Sequence, residues 1–210
     1  MAARPSSISV FAIVAFVAGL LLARVIFVAQ DTPPHTQQAT LFPSARPIPG
    51  LALVDQDGTP LDEDFFEQGW TLVFFGFTSC PDICPTTLAT LARMQLQLQE
   101  LPPAQRPRVL MISVDPQRDD PKTLRSYVRF FDETFIGATG TEEAIRQAAG
   151  SFSVPYARVE LPDGGYTMDH GSGIFVVSPS GHIVAYSAAP HDAATLASDY
   201  LAIVSYLEHR

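Results

Sequence analysis

The stretch Thr71-Leu72-Val73-Phe74-Phe75-Gly76-Phe77-Thr78-Ser79-Cys80-Pro81-Asp82-Ile83-Cys84-Pro85 decides how the chain is read. Its first seven residues are apolar nearly throughout, the pattern of a central strand covered on both faces. Two cysteines follow, each directly before a proline. A residue before proline is pushed out of the α region, so neither cysteine is expected in mid-helix. Pro85 suits the first helical position, which makes Cys84 the expected N-cap and Cys80 a loop residue. A helix N-terminus offers free N–H groups and partial positive charge, and both favour thiolate over thiol. No other cysteine occurs in the 210 residues, which excludes a multi-disulfide scaffold and a four-thiolate zinc site.

Outward from this stretch the elements alternate. Leu51–Val54 reads as a short strand closed by the Asp57-Gly58 turn. Pro85–Gln99 carries Leu88, Leu91, Met94 and Leu98 at helical spacing and stops before Pro102-Pro103. Arg108–Val114 is a second buried strand, and Asp120-Pro121 caps a helix that runs to about Phe131. Phe135–Ala138 is a brief strand, and Thr141 opens a helix ending at Gly150. Val154–Val159 is strand-like. Ile174–Val177 and His182–Ser187 form a hairpin, and Asp192 caps a last helix through Leu207. Strand, helix, strand, helix, hairpin and helix make an α/β protein. With the cysteines where a central strand meets the first helix, the pattern points to a thioredoxin-like sheet flanked by helices. Trp70, just before that strand, is expected in the core.

The chain carries 13 basic against 22 acidic residues, net −9, which argues against a nucleic-acid partner. It is 47% hydrophobic and only 17% charged, below the ~25% usual for soluble domains. The excess lies in Ile8–Ala29, interrupted only by Ser9, Gly19 and Arg24. At ~1.5 Å per residue that run reaches ~33 Å as a helix, enough for a hydrocarbon core of ~30 Å. A cleaved signal peptide competes with this reading. The segment is long for one, and neither Leu21-Leu22-Ala23 nor Phe27-Val28-Ala29 has the small residues cleavage prefers, so a retained anchor is favoured. Residues 1–29 are thus expected as a membrane anchor, 30–48 as a Pro-rich linker and 49–210 as the folded domain. Arg4 before the span, and 11 basic against 22 acidic residues in 31–210, put the N-terminus inside and the domain outside. The absence of an Arg- and Ser-rich amphipathic start favours a bacterial inner membrane crossed once, with the domain in the periplasm.

Three chemistries suit the cysteine pair. A structural disulfide would close a loop too short to constrain the unfolded chain much. Dithiol–disulfide exchange is open, although the usual motif has two intervening residues and this one has three. Metal binding is open too, because two convergent thiolates select soft ions such as Cu(I). On spacing alone exchange and metal stand level, and a third ligand would decide. His35 lies in the spacer, His182 on a hairpin strand, and His191 and His209 flank the last helix; each is expected to be exposed or to act as a cap. His170 differs, because Thr167-Met168-Asp169-His170-Gly171-Ser172-Gly173 is a small-residue loop feeding Ile174–Val177, at the cysteine end of such a sheet.

From about residue 47 onward the chain resembles the SCO/SenC family of copper-binding, thioredoxin-like assembly factors for cytochrome c oxidase. The resemblance rests on Gly76–Pro85, on Ser113-Val114-Asp115-Pro116-Gln117-Arg118-Asp119-Asp120-Pro121 and on Asp169-His170, in that order, behind a single membrane span. It implies copper, as Cu(I) or Cu(II), held by Cys80, Cys84 and His170. It also implies delivery of copper to oxidase subunit II, or reduction of the cysteines of its dinuclear copper site, with other copper chaperones as further partners. Asp120 stands where the family often has Thr, and Gly171 where it often has Ser or Thr; neither change touches the triad. Asp115–Pro121 reads first as a turn and helix cap, and second as a place where Arg118 or Asp119 steers a partner. The leading expectation is a tethered copper protein that is not a turnover enzyme. The alternative is a periplasmic thiol–disulfide oxidoreductase without a metal role, in which His170 is dispensable. A peroxiredoxin-type peroxidase ranks third, because Thr78 precedes Cys80 without the proline such enzymes place in that loop.

Overall fold

A strand that is apolar on both faces needs cover on both, and the central segment Thr71–Gly76 is buried at all six positions. The structure, a computed structural model, describes residues 11–21, 33–62, 64–162 and 164–209. In chain order the elements are β1 (Ala39–Pro47), β2 (Leu53–Asp55), β3 (Pro60–Leu61), α1 (Asp64–Glu67), β4 (Thr71–Gly76), α2 (Ile83–Gln97), β5 (Arg108–Ser113), α3 (Pro121–Phe131), β6 (Ile136–Thr139), α4 (Glu142–Phe152), β7 (Tyr156–Glu160), β8 (Tyr166–His170), β9 (Ile174–Val177), β10 (His182–Ser187) and α5 (Ala193–Glu208). One eight-stranded sheet has the order β1-β10-β9-β4-β5-β6-β2-β3, and β7 and β8 pair separately. β4 lies parallel to β5 and antiparallel to β9, with Phe74 opposite both Met111 and Ile174.

Alternation along β4 divides the core. Val73, Phe75 and Phe77 face α1 and α4, meeting Phe66, Ile145, Ala149 and Phe152. Leu72 and Phe74 face the other layer, where Leu88, Leu91 and Met94 of α2, Leu124 and Val128 of α3, and Leu196, Tyr200 and Ile203 of α5 pack. Trp70 is buried there, edge-on to Tyr200 at 6.2 Å between ring centres. The result is the α/β, thioredoxin-like layering expected from the order of elements.

The helix caps follow the sequence. Asp120 accepts from the Thr123 amide, Thr141 from Ala144 and Asp192 from Thr195, each supplying a partner for an amide the first turn leaves bare. Two boundaries differ from expectation. α4 runs on past Gly150 to Phe152 and is closed by Ser153 at φ 58. Part of the segment 30–48, expected as spacer, is the edge strand β1, so the sheet begins at Ala39 rather than near Pro49. Edge strands tolerate proline, and the β1–β10 register shifts between Leu41 and Arg46, around Pro43. The buried carboxylate of Asp199 in α5 anchors this edge, accepting the amides of Gln37, Gln38 and Ala39, each at 2.7 Å.

Of the segment expected to span the membrane, 11–21 is helical and exposed, and the remainder of 8–29 lies outside the described residues. Among the described residues no helix is long and apolar enough to cross a membrane.

Candidate metal centre

Past Gly76 the chain leaves β4, and the Cys80 amide donates to the Phe77 carbonyl at 3.3 Å, folding the loop back over the strand end. Cys84 follows on the first turn of α2, one position inside it, because the helix starts at Ile83 rather than Pro85. The N-cap position therefore falls at Asp82 instead of Cys84, and the Asp82 side chain makes no capping hydrogen bond there. Pro85 is tolerated there because amides of the first turn have no intrahelical acceptor, so its missing N–H removes no bond. The Cys84 amide instead points at Cys80 Sγ, 3.5 Å away. Both thiols are free and buried. Burial pushes the Cys84 thiol well above the ordinary range, against a backbone hydrogen bond at Phe77 that pulls it down. The thiolate bias expected from the helix terminus is thus outweighed at Cys84 by desolvation.

The third group comes from the separate hairpin. His170 ends β8, a strand position rather than the loop expected, paired with Tyr156 of β7. Its Nδ1 lies 3.0 Å from the carbonyl oxygen of Gly171, which can only accept, so Nδ1 carries the proton and Nε2 presents a lone pair. Nε2 is 3.5 Å from Cys84 Sγ, and the two sulfurs and Nε2 all lie within 4.8 Å of one another. Among the described residues this is the one His/Cys/acid cluster with such geometry. Phe77 braces the imidazole edge-on at 5.8 Å. A cleft of about 260 Å3 lined by Phe77, Cys80–Ile83 and Thr167–His170 opens the site to solvent. Two soft sulfur donors and one imidazole, all neutral or anionic and convergent, form a donor set suited to copper in either common oxidation state.

The surrounding residues explain why three elements meet. A Cβ on Gly76 would lie 2.9 Å from Cys84 Sγ, so the missing side chain is the seat of that thiol. Asp119, fully buried, accepts from the Thr78 amide and hydroxyl and from Ser113 Oγ. Burial raises its pKa, while those hydrogen bonds oppose the rise. Asp115 pairs with Arg118 and accepts from the Tyr166 hydroxyl at 2.9 Å; Arg118 also donates to the Tyr166 carbonyl and lies 3.8 Å over its ring. Asp115–Pro121 therefore latches both the cysteine loop and the start of β8, in line with its reading as structure. Asp119 is buried, and its carboxylate is engaged by Thr78 and Ser113.

Residues 47–205 match the SCO1/SenC family model. The chain belongs to the SCO1/SenC family. Among its relatives is a "putative copper-binding protein" of Stutzerimonas stutzeri, 35% identical over 152 residues, which are 71% of this chain and 73% of that one. Among solved structures, Arabidopsis thaliana ScoI with copper bound is 33% identical with a TM-score of 0.70, covering 78% of this chain and 99% of that one. BsSco, described as a Sco-family cytochrome c oxidase assembly protein with a disulfide switch, is 25% identical with a TM-score of 0.60, covering 79% and 98%.

Within this SCO1/SenC domain the other histidines stay apart from the cluster. His35 is exposed, and His182 and His209 bond the nearby carbonyls of Ser180 and Ser205. His191 Nε2 lies 2.9 Å from the Ser172 carbonyl, so it supports the chain just after His170. Sequence reasoning placed Gly76 in the cysteine motif but missed its role as the seat of Cys84, and it missed Tyr166 altogether. Gly76 could have been suspected as a glycine inside an otherwise bulky buried strand. Tyr166 had no signal, because its role depends on a contact with Asp115, 51 positions away.

Proposed function

We propose that this protein is a membrane-tethered copper carrier for the assembly of cytochrome c oxidase, with Cys80, Cys84 and His170 as the ligands of its cargo. The observation that carries the reading is the convergence of Cys80 Sγ, Cys84 Sγ and His170 Nε2 within 4.8 Å, with Nδ1 held by the Gly171 carbonyl so that Nε2 faces the sulfurs. Cu(I) is satisfied by the two thiolates, and the imidazole completes a set that also suits Cu(II). Loading requires the thiols to give up their protons. The open cleft beside Cys80 lets an acceptor's thiol reach copper from the solvent side, while Cys84 stays buried behind it. The acceptor is the cysteine-bearing copper site of oxidase subunit II, and other copper chaperones are the donors. The family's relatives with copper bound, and its oxidase-assembly member BsSco, support the metal and the partner.

The tether is residues 8–29, crossing a bacterial inner membrane once with the domain in the periplasm. Its apolar composition supports this, as does the exposure of Phe11, Ile13, Phe16 and Leu20 on the helical residues 11–21.

A second reading keeps the site and changes the cargo. The Cys80/Cys84 dithiol would reduce an acceptor disulfide, forming its own disulfide while two electrons and two protons pass to the acceptor sulfurs. Mixing the Cu(I)-loaded, reduced protein with the apo, reduced copper domain of subunit II separates the two. Transfer of copper supports the carrier; no transfer, together with metal-free reduction of the oxidised acceptor by both wild type and His170→Ala, supports the reductase.

A further inference from the structure

The cleft at the metal centre continues past His170. A second hollow, of about 240 Å3, shares Asp169 and His170 with it and reaches Pro155 and Gly171. A third, of about 220 Å3, shares Pro155 and Gly171 with the second. Together they form one trough that starts at Cys80 and ends beyond the Gly171–Gly173 segment. Its far end is aromatic. Phe42 of β1 and Tyr186 of β10 stand half-buried on its walls, and the buried rings of Phe152 and Phe175 pack behind them, with centres 5.2 Å apart for Phe152 and Phe175 and 4.9 Å for Phe175 and Tyr186. Gly173 seats the Tyr186 ring, because a Cβ at that position would overlap it. Arg46 lies over the Phe42 ring at 5.6 Å, donating to the Ser151 carbonyl at 3.1 Å and to Ser153 Oγ at 2.9 Å. Among the described residues no carboxylate pairs with it. The trough therefore joins a metal site at one end to an aromatic box with an unpaired positive charge at the other.

We propose that this box receives a large apolar side chain of the copper acceptor, beside a carboxylate that meets Arg46, while the acceptor's cysteine stands at the metal. The inference rests on the copper-carrier reading and adds to it a second contact, away from the metal, that selects the partner. Half-exposed aromatic rings gathered around a hollow mark a place where a partner's side chain is received, and the unpaired guanidinium supplies a polar rim. Gly173 follows His170 by three residues, so the two are separated by at most ~11 Å of chain. An extended partner at ~3.3 Å per residue covers that span in three or four residues. The anchoring side chain therefore lies about three to five residues from the accepting cysteine. A second copy of this chain suits the box less, because two domains with 11 basic against 22 acidic residues in 31–210 repel one another. Copper moves as Cu(I) throughout. The acceptor's thiols give up their protons and bind the metal, Cys80 and Cys84 release it and take protons up, and no oxidation state changes. Anchoring in the box holds the acceptor at the cleft while this exchange proceeds.

The experiment loads the full chain, in detergent, with Cu(I) and follows transfer to the reduced, apo copper domain of subunit II over a range of acceptor concentrations. Transfer to dithiothreitol, which is too small to span metal and box, is followed in parallel. Phe42→Ala and Arg46→Glu should each raise the acceptor concentration for half-maximal rate at least about fivefold, the scale of losing an anchor contact. The rate at saturation, the Cu(I) affinity and the transfer to dithiothreitol should not change. Phe42→Leu, which keeps an apolar wall, and Arg46→Lys, which keeps the charge, should each recover most of the loss. An unchanged half-saturation in both Phe42→Ala and Arg46→Glu overturns the docking box and leaves the carrier standing. So does a loss that appears equally with dithiothreitol, because the variant has then disturbed the metal centre itself. A wild-type dimer in sedimentation that the same variants dissociate also overturns it, by placing a second copy in the box. If wild-type copper reaches dithiothreitol and never the subunit II domain, the acceptor reading falls and this inference with it.

Discussion

The backbone amide of Thr78 donates to Asp119 Oδ2 across 3.0 Å while its hydroxyl donates to Oδ1 across 2.5 Å. Ser113 Oγ donates to the same carboxylate at 2.6 Å, so one buried acid fastens the loop that ends at Cys80 to the end of β5. The metal loop owes its position to a residue outside it.

Replacing that acid tests the clamp. Asp119→Asn should cost about 1–3 kcal/mol, because a buried donor is left facing a donor. The pH dependence has a defined sign. Burial raises the folded-state pKa of Asp119 above its ordinary 3.8, so its contribution is complete below 3.8 and lost as pH rises through the folded value. Urea unfolding in that window should show the gap between wild type and Asp119→Asn shrinking as pH rises, then levelling. A gap that grows would contradict the assignment.

Gly76→Ala probes the seat of the second thiol. The new methyl meets Cys84 Sγ at 2.9 Å, with Phe74 and Met111 at 3.2 and 3.3 Å. Overpacking of this kind costs about 1–3 kcal/mol. The thermal midpoint should fall modestly, while copper affinity in a competitive titration falls at least tenfold because the sulfur must move. Unchanged affinity would show that Cys84 has other room.

Tyr166 separates hydrogen bonding from stacking. Tyr166→Phe removes the bond to Asp115 but keeps a ring between the guanidinium groups of Arg118 and Arg158, each at 3.8 Å. It should lose about 1 kcal/mol of stability and retain copper. Tyr166→Ala removes both and should loosen β8, weakening copper binding through His170 four residues along. Equal copper affinity in the two variants would dissociate the hairpin from the site.

The histidines give the sharpest contrast. His170→Ala removes a ligand, so Cu(II) affinity should fall by more than the ~10–100-fold typical of losing an outer partner. His191→Ala removes only the bond to the Ser172 carbonyl and should fall within that outer-partner range. A Cu(II) spectrum and affinity unchanged in His170→Ala would exclude the imidazole from the site.

Much of this was legible in the chain. The run Thr71–Phe77 could only be a strand covered on both faces, and three Asp or Thr caps set helix starts that the structure keeps. The pair Cys80 and Cys84 was marked by its place after that strand. Other features were hidden for physical reasons. β1 was masked by Pro43 and Pro47, which local rules read as spacer although an edge strand accommodates them. The helical start at Ile83 escaped because the steric bias on a residue before proline is a preference and not a prohibition, and Pro85 in the first turn costs the helix no amide bond. The raised thiol of Cys84 and the roles of Gly76, Asp119 and Tyr166 arise from contacts between elements distant in sequence, which no window along the chain contains.

The most direct test of the three-residue copper site is copper content and Cu(II) absorption of the reduced protein, wild type against Cys80→Ser. The account predicts about one copper per chain and a thiolate-to-Cu(II) charge-transfer band in wild type, with the band lost or strongly shifted in Cys80→Ser. A wild-type protein that retains no copper and shows no such band would contradict it.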